Sequence, residues 1–335
     1  MLSALALLLV ACVGAWAWER SHRRTRAMSG GLHSEIALPH EAEFELYHNA
    51  LSLCSKKVRF CLAELGIPHR AHHVDLIETA SYENIGRRFL AVNPAGILPV
   101  LVHDGHPVYE SHEQIRHAAE HAPPGAPRLV PDDAGLAAEM ERWVERASVM
   151  GDNPLEDTAR SAGNAVPALT TPLFAAMIET IPVRFILEGL LFHRLKQRPL
   201  IFLVLKAYGV ARFHRLAPAM KVWRVCARAM KTHLDAFEEQ LAKTGGPWIV
   251  GDAFTLADVS WVVILERLVE GDVLPCFLEG RPGVSGYWDR LRARPGYAAA
   301  ITAHGHPTIA AGLARLRAAK AADPALREAL EDPCR

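Results

Sequence analysis

The chain has 335 residues, half of them apolar and 22% charged, which excludes a disordered, collagen-like or coiled-coil protein and leaves room for two domains. Lysine plus arginine and aspartate plus glutamate number 37 each, so no whole-chain basic excess points to nucleic acid. The scattered cysteines (Cys12, Cys54, Cys61, Cys226, Cys276, Cys334) form neither a dense disulfide framework nor a CxxC knuckle, and read as mostly reduced thiols facing a cytosol.

Leu2 to Trp18 carries no charge, and Arg20, Arg23, Arg24 and Arg26 follow directly. The run is just long enough to approach the thickness of a hydrocarbon core as a helix. Basic residues on its C-terminal side place the bulk of the chain in the cytosol, as a single-pass signal anchor over residues 1–27. A signal peptide cleaved at Ala15-Trp16-Ala17, a lipoprotein box at Leu9-Val10-Ala11-Cys12 and a true start at Met28 are the rival readings.

A polar linker over 28–43 comes next. Phe44 to Tyr47 alternates as a strand does. Ser52 opens a helix with Val58, Cys61, Leu62 and Leu65 on its apolar face, closed by Gly66 and Pro68. Ala71 to Val74 reads as a second strand. Pro99 to Val102 and Val108-Tyr109 pair across Asp104-Gly105, a strong hairpin signal. Ser111 caps a helix to about His121. Residues 44–122 thus form a small α/β domain in the order β-α-β-ββα, with a helical connection after the second strand. Four prolines between 123 and 131 precede a helical domain over 123–303. Its helices are Asp133–Val149, Ala219–Leu241 and Leu256–Val269, the last opened by the capping box Thr255–Asp258. Residues 304–335 read as an exposed Ala/Arg-rich tail.

A strand feeding a helix that starts with a small hydroxyl suits thiol chemistry. Free N–H groups and the helix dipole stabilise a thiolate there, and Ser52 would donate to its sulfur. The plainer reading makes Ser52 only an N-cap. In Asn93-Pro94-Ala95-Gly96-Ile97-Leu98-Pro99-Val100, a cis Leu98-Pro99 bond would turn the Leu98 N–H and C=O outward for a bound peptide. Glu110-Ser111 offers a carboxylate and a hydroxyl at another helix start, suited to a ligand carrying both ammonium and carboxylate.

The strings LYHNALSLCSKKVRF, NPAGILPVL, YES and PWIVGDAFTLADVS, in this order, resemble the soluble glutathione transferase family. The resemblance covers Phe44 to about His121 and Ala219 to Ile301. Its first string is also similar to the ganglioside-induced differentiation-associated protein branch, which is membrane-anchored. The resemblance implies a thioredoxin-like half, an all-helical half, glutathione as co-substrate and a homodimer. It implies Ser52 as the catalytic serine, Leu98 and Pro99 as the backbone clamp, and Glu110 and Ser111 as anchors of the γ-glutamyl unit. Cys54 is the alternative nucleophile. Leu53 and Ile97 depart from the family pattern, which has polar residues there in many members.

The segment 151–218 has no counterpart in the pattern and reads as an insertion. From Arg184 to Lys231 eleven basic residues meet one acid, Glu188, with aliphatic residues between them. Such a segment either lies on an anionic membrane or packs as a helical pair on the domain. His117-Ala118-Ala119-Glu120-His121 fits the HxxEH zinc pattern, but 17 histidines make chance spacings common, and no metal is expected. The expected function is conjugation of glutathione to an apolar electrophile. The alternatives are a non-enzymatic membrane-tethered scaffold and a glutathione-dependent thiol reductase using Cys54.

Overall fold

A computed structural model describes residues 2–151, 154–193 and 195–334. Leu2–His22 forms α1, and its residues Ala4–His22 are long and apolar enough to cross a membrane. A short strand, β1 (Gly31–Leu32), follows. The alternating segment becomes β2 (Phe44–His48), with Phe44 and Leu46 buried. α2 (Leu53–Leu65) ends on Gly66 at φ 65, a left-handed position that glycine takes without steric cost. Next come β3 (Arg70–His73) and the single turn α3 (Arg87–Leu90). β4 (Val100–His103), β5 (His106–Tyr109) and α4 (Ser111–Glu120) complete the unit. The sheet order is β1-β5-β4-β2-β3, with β2 and β3 parallel and every other pair antiparallel. Asp104 and Gly105 both sit at positive φ, 48 and 81, as a tight primed turn requires.

The helical half runs α5 (Ala134–Ala147), α6 (Ala162–Leu169), α7 (Thr171–Ile178), α8 (Val183–Phe192), α9 (Gln197–Tyr208), α10 (Ala217–Thr244) and α11 (Leu256–Glu270). It ends with α12 (Leu274–Leu278), α13 (Pro282–Arg292), α14 (Pro295–Ala300), α15 (Pro307–Ala322) and α16 (Pro324–Glu331). Trp143, Phe237 and Trp261 pack against one another with tilted rings at its centre, with 4.5 Å between the Phe237 and Trp261 ring centroids. The α11 capping box is formed, and the buried Asp258 carboxylate also accepts from the Ile249 N–H and the Tyr287 hydroxyl. Burial pushes its pKa up to about 6. The architecture is a thioredoxin-like α/β domain followed by an all-helical one.

α2 joins the two halves through its polar residues. Lys56 pairs with Glu270, and Arg59 donates to the carbonyls of Ala300 at 2.8 Å and Asn49 at 3.1 Å. Arg267 on α11 donates back to the carbonyl of Leu51. The Lys-Lys-x-Arg run is therefore an internal clamp, buried because each charge finds a partner across the domain boundary.

Four expectations are corrected. The linker over 28–43 contributes β1, whose Gly31 and Leu32 pair with Tyr109 and Val108. The 304–335 tail is not exposed: Ile309, Leu316, Leu326 and Leu330 are buried, and Gly312 lies against Met177 where any larger side chain would collide. Within 151–218, α6 and α7 are core helices, with Ala165, Leu169, Leu173 and Met177 buried; only α8 and α9 form a surface pair. Ser111 is the first helical residue of α4, and Glu110 holds the cap position. Of the basic residues in 184–231, Arg194 lies outside the described residues.

Candidate functional site

A cleft of about 490 Å³ opens where α2, the loop before β4 and the start of α4 converge. Cys54, Leu98, Pro99, Glu110 and Ser111 line it. Ser52 is not among its lining residues. Its hydroxyl caps α2 by accepting from the Ser55 N–H at 3.2 Å, two residues from the thiol that faces the cleft.

The loop from Asn93 to Pro99 is fixed by its own side chains. Asn93 accepts from the Ala95 N–H at 2.9 Å and donates to the Ile97 carbonyl at 2.8 Å. Asn84 donates to the Gly96 carbonyl at 2.8 Å. Gly96 has φ 69 and faces the Asn84 carbonyl, so a Cβ there would be both strained and crowded. The Leu98-Pro99 bond is cis. Among the described residues, no protein group pairs with the Leu98 N–H or C=O. Gln114, fully buried on α4, donates to the carbonyls of Pro99 and Val108 at 2.8 Å each.

Glu110 has φ 66 and ψ 123, a conformation that costs a non-glycine residue of order 1–3 kcal/mol. It is held by the hydrogen bond from the Gln114 N–H to its carbonyl and by the close approach of Gly30 to its side chain. Its carboxylate stays exposed at the N-terminus of a ten-residue helix. Beneath the cleft, the buried Lys57 donates to the Ser148 hydroxyl at 3.2 Å. Burial pushes the Lys57 pKa down, while the nearby Cys54 and Glu110 push it up. A thiolate beside Cys54 gains from that ammonium.

Residues before the α/β domain also reach the cleft. Thr25, Arg26, Ala27 and Met28 line it, and the Arg26 N–H donates to the Pro94 carbonyl at 2.9 Å. Arg23 is buried, donating to the Ile85 carbonyl and pairing with Glu188 at 2.7 Å. His193 and Leu195 from the α8–α9 connection and Arg198 from the first turn of α9 line the cleft as well. A more open depression of about 600 Å³ is lined by the paired Asp272 and Lys320 and shares no lining residue with this cleft.

Sequence reasoning overlooked Gln114, Lys57 and the segment at Arg23–Met28. The Asx pattern at Asn93-Pro94-Ala95-Gly96 is a legible signal for the fixed loop. For Gln114 the signal misleads: Ser111-His112-Glu113-Gln114 has the spacing of a capping box, yet the amide turns to the proline loop.

Residues 51–121 match the family model for the glutathione S-transferase N-terminal domain, and residues 218–302 match its C-terminal domain. A 2,5-dichlorohydroquinone reductive dechlorinase of Sphingobium indicum is 27% identical, over 80% of this chain and 85% of its own. A tetrachloro-p-hydroquinone reductive dehalogenase of Sphingobium chlorophenolicum is 23% identical, over 75% and 93%. The beta-etherase LigF from Sphingobium sp. strain SYK-6 superposes with a TM-score of 0.59 at 21% identity, covering 78% of this chain and 98% of that one. Both halves match in chain order, and the N-terminal match supplies Cys54, Leu98, Pro99, Glu110 and Ser111 of the cleft. The chain carries the N- and C-terminal domains of the glutathione S-transferase family, which support a glutathione transferase-type enzyme with glutathione as co-substrate.

Proposed function

We propose that the cleft binds glutathione and delivers its thiolate to an electrophilic carbon of an apolar substrate. One observation carries this: a single cavity joins the free Leu98 backbone, the Glu110–Ser111 helix start and the N-terminal turn of α2. The Leu98 N–H and C=O pair with the cysteinyl unit. Glu110 takes the γ-glutamyl ammonium, and Ser111 with the α4 N-terminus takes its carboxylate. The sulfur then lies near the start of α2, where Ser52 donates to it. The dechlorinating relatives point to a halogenated aromatic substrate. The C–S bond forms and the carbon–halogen bond breaks, with halide leaving on the electron pair.

A second reading has one observation in its favour: Cys54, not Ser52, lines the cavity. There the substrate is a glutathionyl mixed disulfide: the Cys54 thiolate attacks its glutathionyl sulfur, the original S–S bond breaks, and the substrate leaves as a thiolate that takes up a proton. A second glutathione thiolate then resolves the mixed disulfide, yielding glutathione disulfide.

Retention on immobilised glutathione tests both readings. Halide release from 2,5-dichlorohydroquinone and reduction of a glutathionyl mixed disulfide, each measured in Ser52→Ala and Cys54→Ala, then separate them. Loss of halide release in Ser52→Ala supports the first, loss of disulfide reduction in Cys54→Ala alone supports the second, and no retention refutes both.

The site sits beside a membrane in this reading. α1 emerges next to α8, because Arg23 pairs with Glu188 and lies 4.4 Å above the Phe192 ring. Val183, Leu187 and Leu191 form one stripe on α8, and Leu200, Val204 and Tyr208 another on α9, each 43–50% exposed. We infer that α1 spans the bilayer with both domains in the cytosol, that the α8–α9 pair rests on the anionic leaflet, and that the chain forms the homodimer usual in its family.

A further inference from the structure

His117 and His121 lie four residues apart on α4, and so on one face of the helix. The HxxEH spacing offers only these two imidazoles. The fold adds His103 from the end of β4, and one ring nitrogen from each of the three lies within 4.8 Å of the others. We propose that His103, His117 and His121, none of which lines the glutathione cleft, form a binding site for a divalent transition-metal ion of the zinc class.

The surroundings already select the metal-binding tautomers of His121 and His103. The His121 Nδ1 is 2.8 Å from the His117 carbonyl, which only accepts, so Nδ1 carries the proton and Nε2 keeps a free lone pair. The His103 Nε2 is 3.8 Å from a carboxylate oxygen of both Glu43 and Asp104, which favours a proton there and leaves its Nδ1 as a donor to the metal. That Nδ1 lies 2.9 Å from the His117 Nε2. In the metal-free pair His117 donates its Nε2 proton to His103. An ion entering between them takes both lone pairs as the His117 proton moves to its own Nδ1, with no net proton released.

Metal–nitrogen bonds of 2.0–2.1 Å in a tetrahedral set require nitrogens roughly 3.3 Å apart. The present spacing reaches that with small side-chain rotations. Neutral imidazole is the ligating form, and an ordinary histidine is mostly unprotonated at pH 7. Phe44 stacks on the His103 ring at 4.2 Å and fixes its plane. His117 is buried and His121 exposed, so a fourth position opens to solvent. Three imidazoles with an open position suit zinc better than a hard cation such as magnesium or calcium. The ion would tie the β4–β5 hairpin to the last turn of α4.

The test uses the untagged full chain, stripped with chelator and titrated with Zn²⁺ by calorimetry and with Co²⁺ by visible absorption. One tight equivalent is expected, with the strong visible bands of four-coordinate cobalt. His121→Gln, at an exposed position that spares the fold, should weaken Zn²⁺ more than about 100-fold, beyond the roughly 10–100-fold cost of losing an outer partner. His103→Gln should do the same. His306→Gln alters the other cluster of donors, His73, Asp75 and His306, and should leave binding intact. A change under tenfold in His121→Gln, or loss of binding in His306→Gln, overturns the proposal.

Discussion

The side-chain amide of Gln114 donates to the carbonyl of Pro99 at 2.8 Å, tying α4 to the loop that presents the Leu98 backbone. Its second hydrogen, on the Val108 carbonyl, ties the same amide to β5. Gln114 touches no ligand in the proposed pose, so it acts by positioning. Gln114→Ala removes two buried hydrogen bonds, each worth about 1 kcal/mol. The expected result is a glutathione Kd raised about tenfold, with kcat at saturating glutathione changed less than twofold. Calorimetry and steady-state rates check this split. Equal losses in both would place Gln114 in the chemistry instead.

Ser52 has two separable roles. Its hydroxyl oxygen accepts from the Ser55 N–H as an N-cap, and its hydrogen would go to the glutathione sulfur. Asparagine caps about as well as serine, whereas alanine loses about 1 kcal/mol. Ser52→Asn should therefore keep the urea midpoint of the parent, while conjugation falls about ten- to a hundredfold with the lost bond to a charged group. The pKa of bound glutathione, followed by thiolate absorbance, should rise in the same variant. Parent-like titration and rate in Ser52→Asn would leave serine as a cap alone.

The parts of the fold set by local rules were legible in the sequence. Gly66 after Leu65, Asp104-Gly105 between two strands and Thr255 with Asp258 each fix a turn or cap within a few residues, and each stands where its pattern points. What escaped depends on contacts distant in the chain. Lys56 looks like a solvated charge until Glu270, 214 residues away, is folded beside it. Gly31-Leu32 is too short to read as a strand without the β5 edge to pair with. The tail looks exposed because Ala and Arg dominate it, yet a few well-spaced leucines bury one face. The cleft was half legible: Leu98, Pro99, Glu110 and Ser111 come from motifs, but the choice between Ser52 and Cys54 turns on which way the first turn of α2 faces.

Lys56 is buried with Glu270 and has Glu266 at 3.8 Å. Removing one partner of a buried pair strands the other charge, at a cost of about 3–5 kcal/mol. Lys56→Met should lower the urea midpoint accordingly. Lys56→Met with Glu270→Gln should recover only part of the loss, since the stranded carboxylate is gone but the buried Arg267, 3.1 Å from Glu270, loses its partner in turn. Additive losses in the double variant would argue against the pairing.

Acid should weaken the fold through His48. Burial, then the Arg59 guanidinium 3.0 Å from its Nδ1, pushes its pKa down to about 3 from the ordinary 6.5. Between those values the unfolded chain binds the proton and the folded one does not. The stability contributed is complete above pH 6.5 and is lost as pH falls toward 3. Asp258, pushed up to about 6, runs the other way: its contribution grows as pH falls through 6. His48→Gln isolates the histidine. The difference in unfolding free energy between pH 7.5 and pH 5 should shrink in the variant, and an unchanged difference would remove His48 from the account.

The stripe on α8 and α9 separates lipid contact from simple packing. Arg198 is answered by Glu78, and Lys206 by the Ile178 and Glu179 carbonyls, so these cations serve the fold. Glu139, Glu141 and Asp132 pair with Arg142, Arg116 and Arg128, and so are not set aside for the basic segment. Leu187 and Leu191 remain nearly half exposed beside Arg184. A chain lacking residues 2–22 should float with anionic vesicles and release as salt rises, because screening over about 10 Å at 0.1 M weakens the charge attraction. Leu187→Glu with Leu191→Glu should abolish that binding, since it removes apolar contact and adds like charge to the leaflet. The full chain should stay with the membrane in every variant, held by α1. Equal flotation with neutral and anionic vesicles would assign the arginines to packing and leave α1 as the sole attachment.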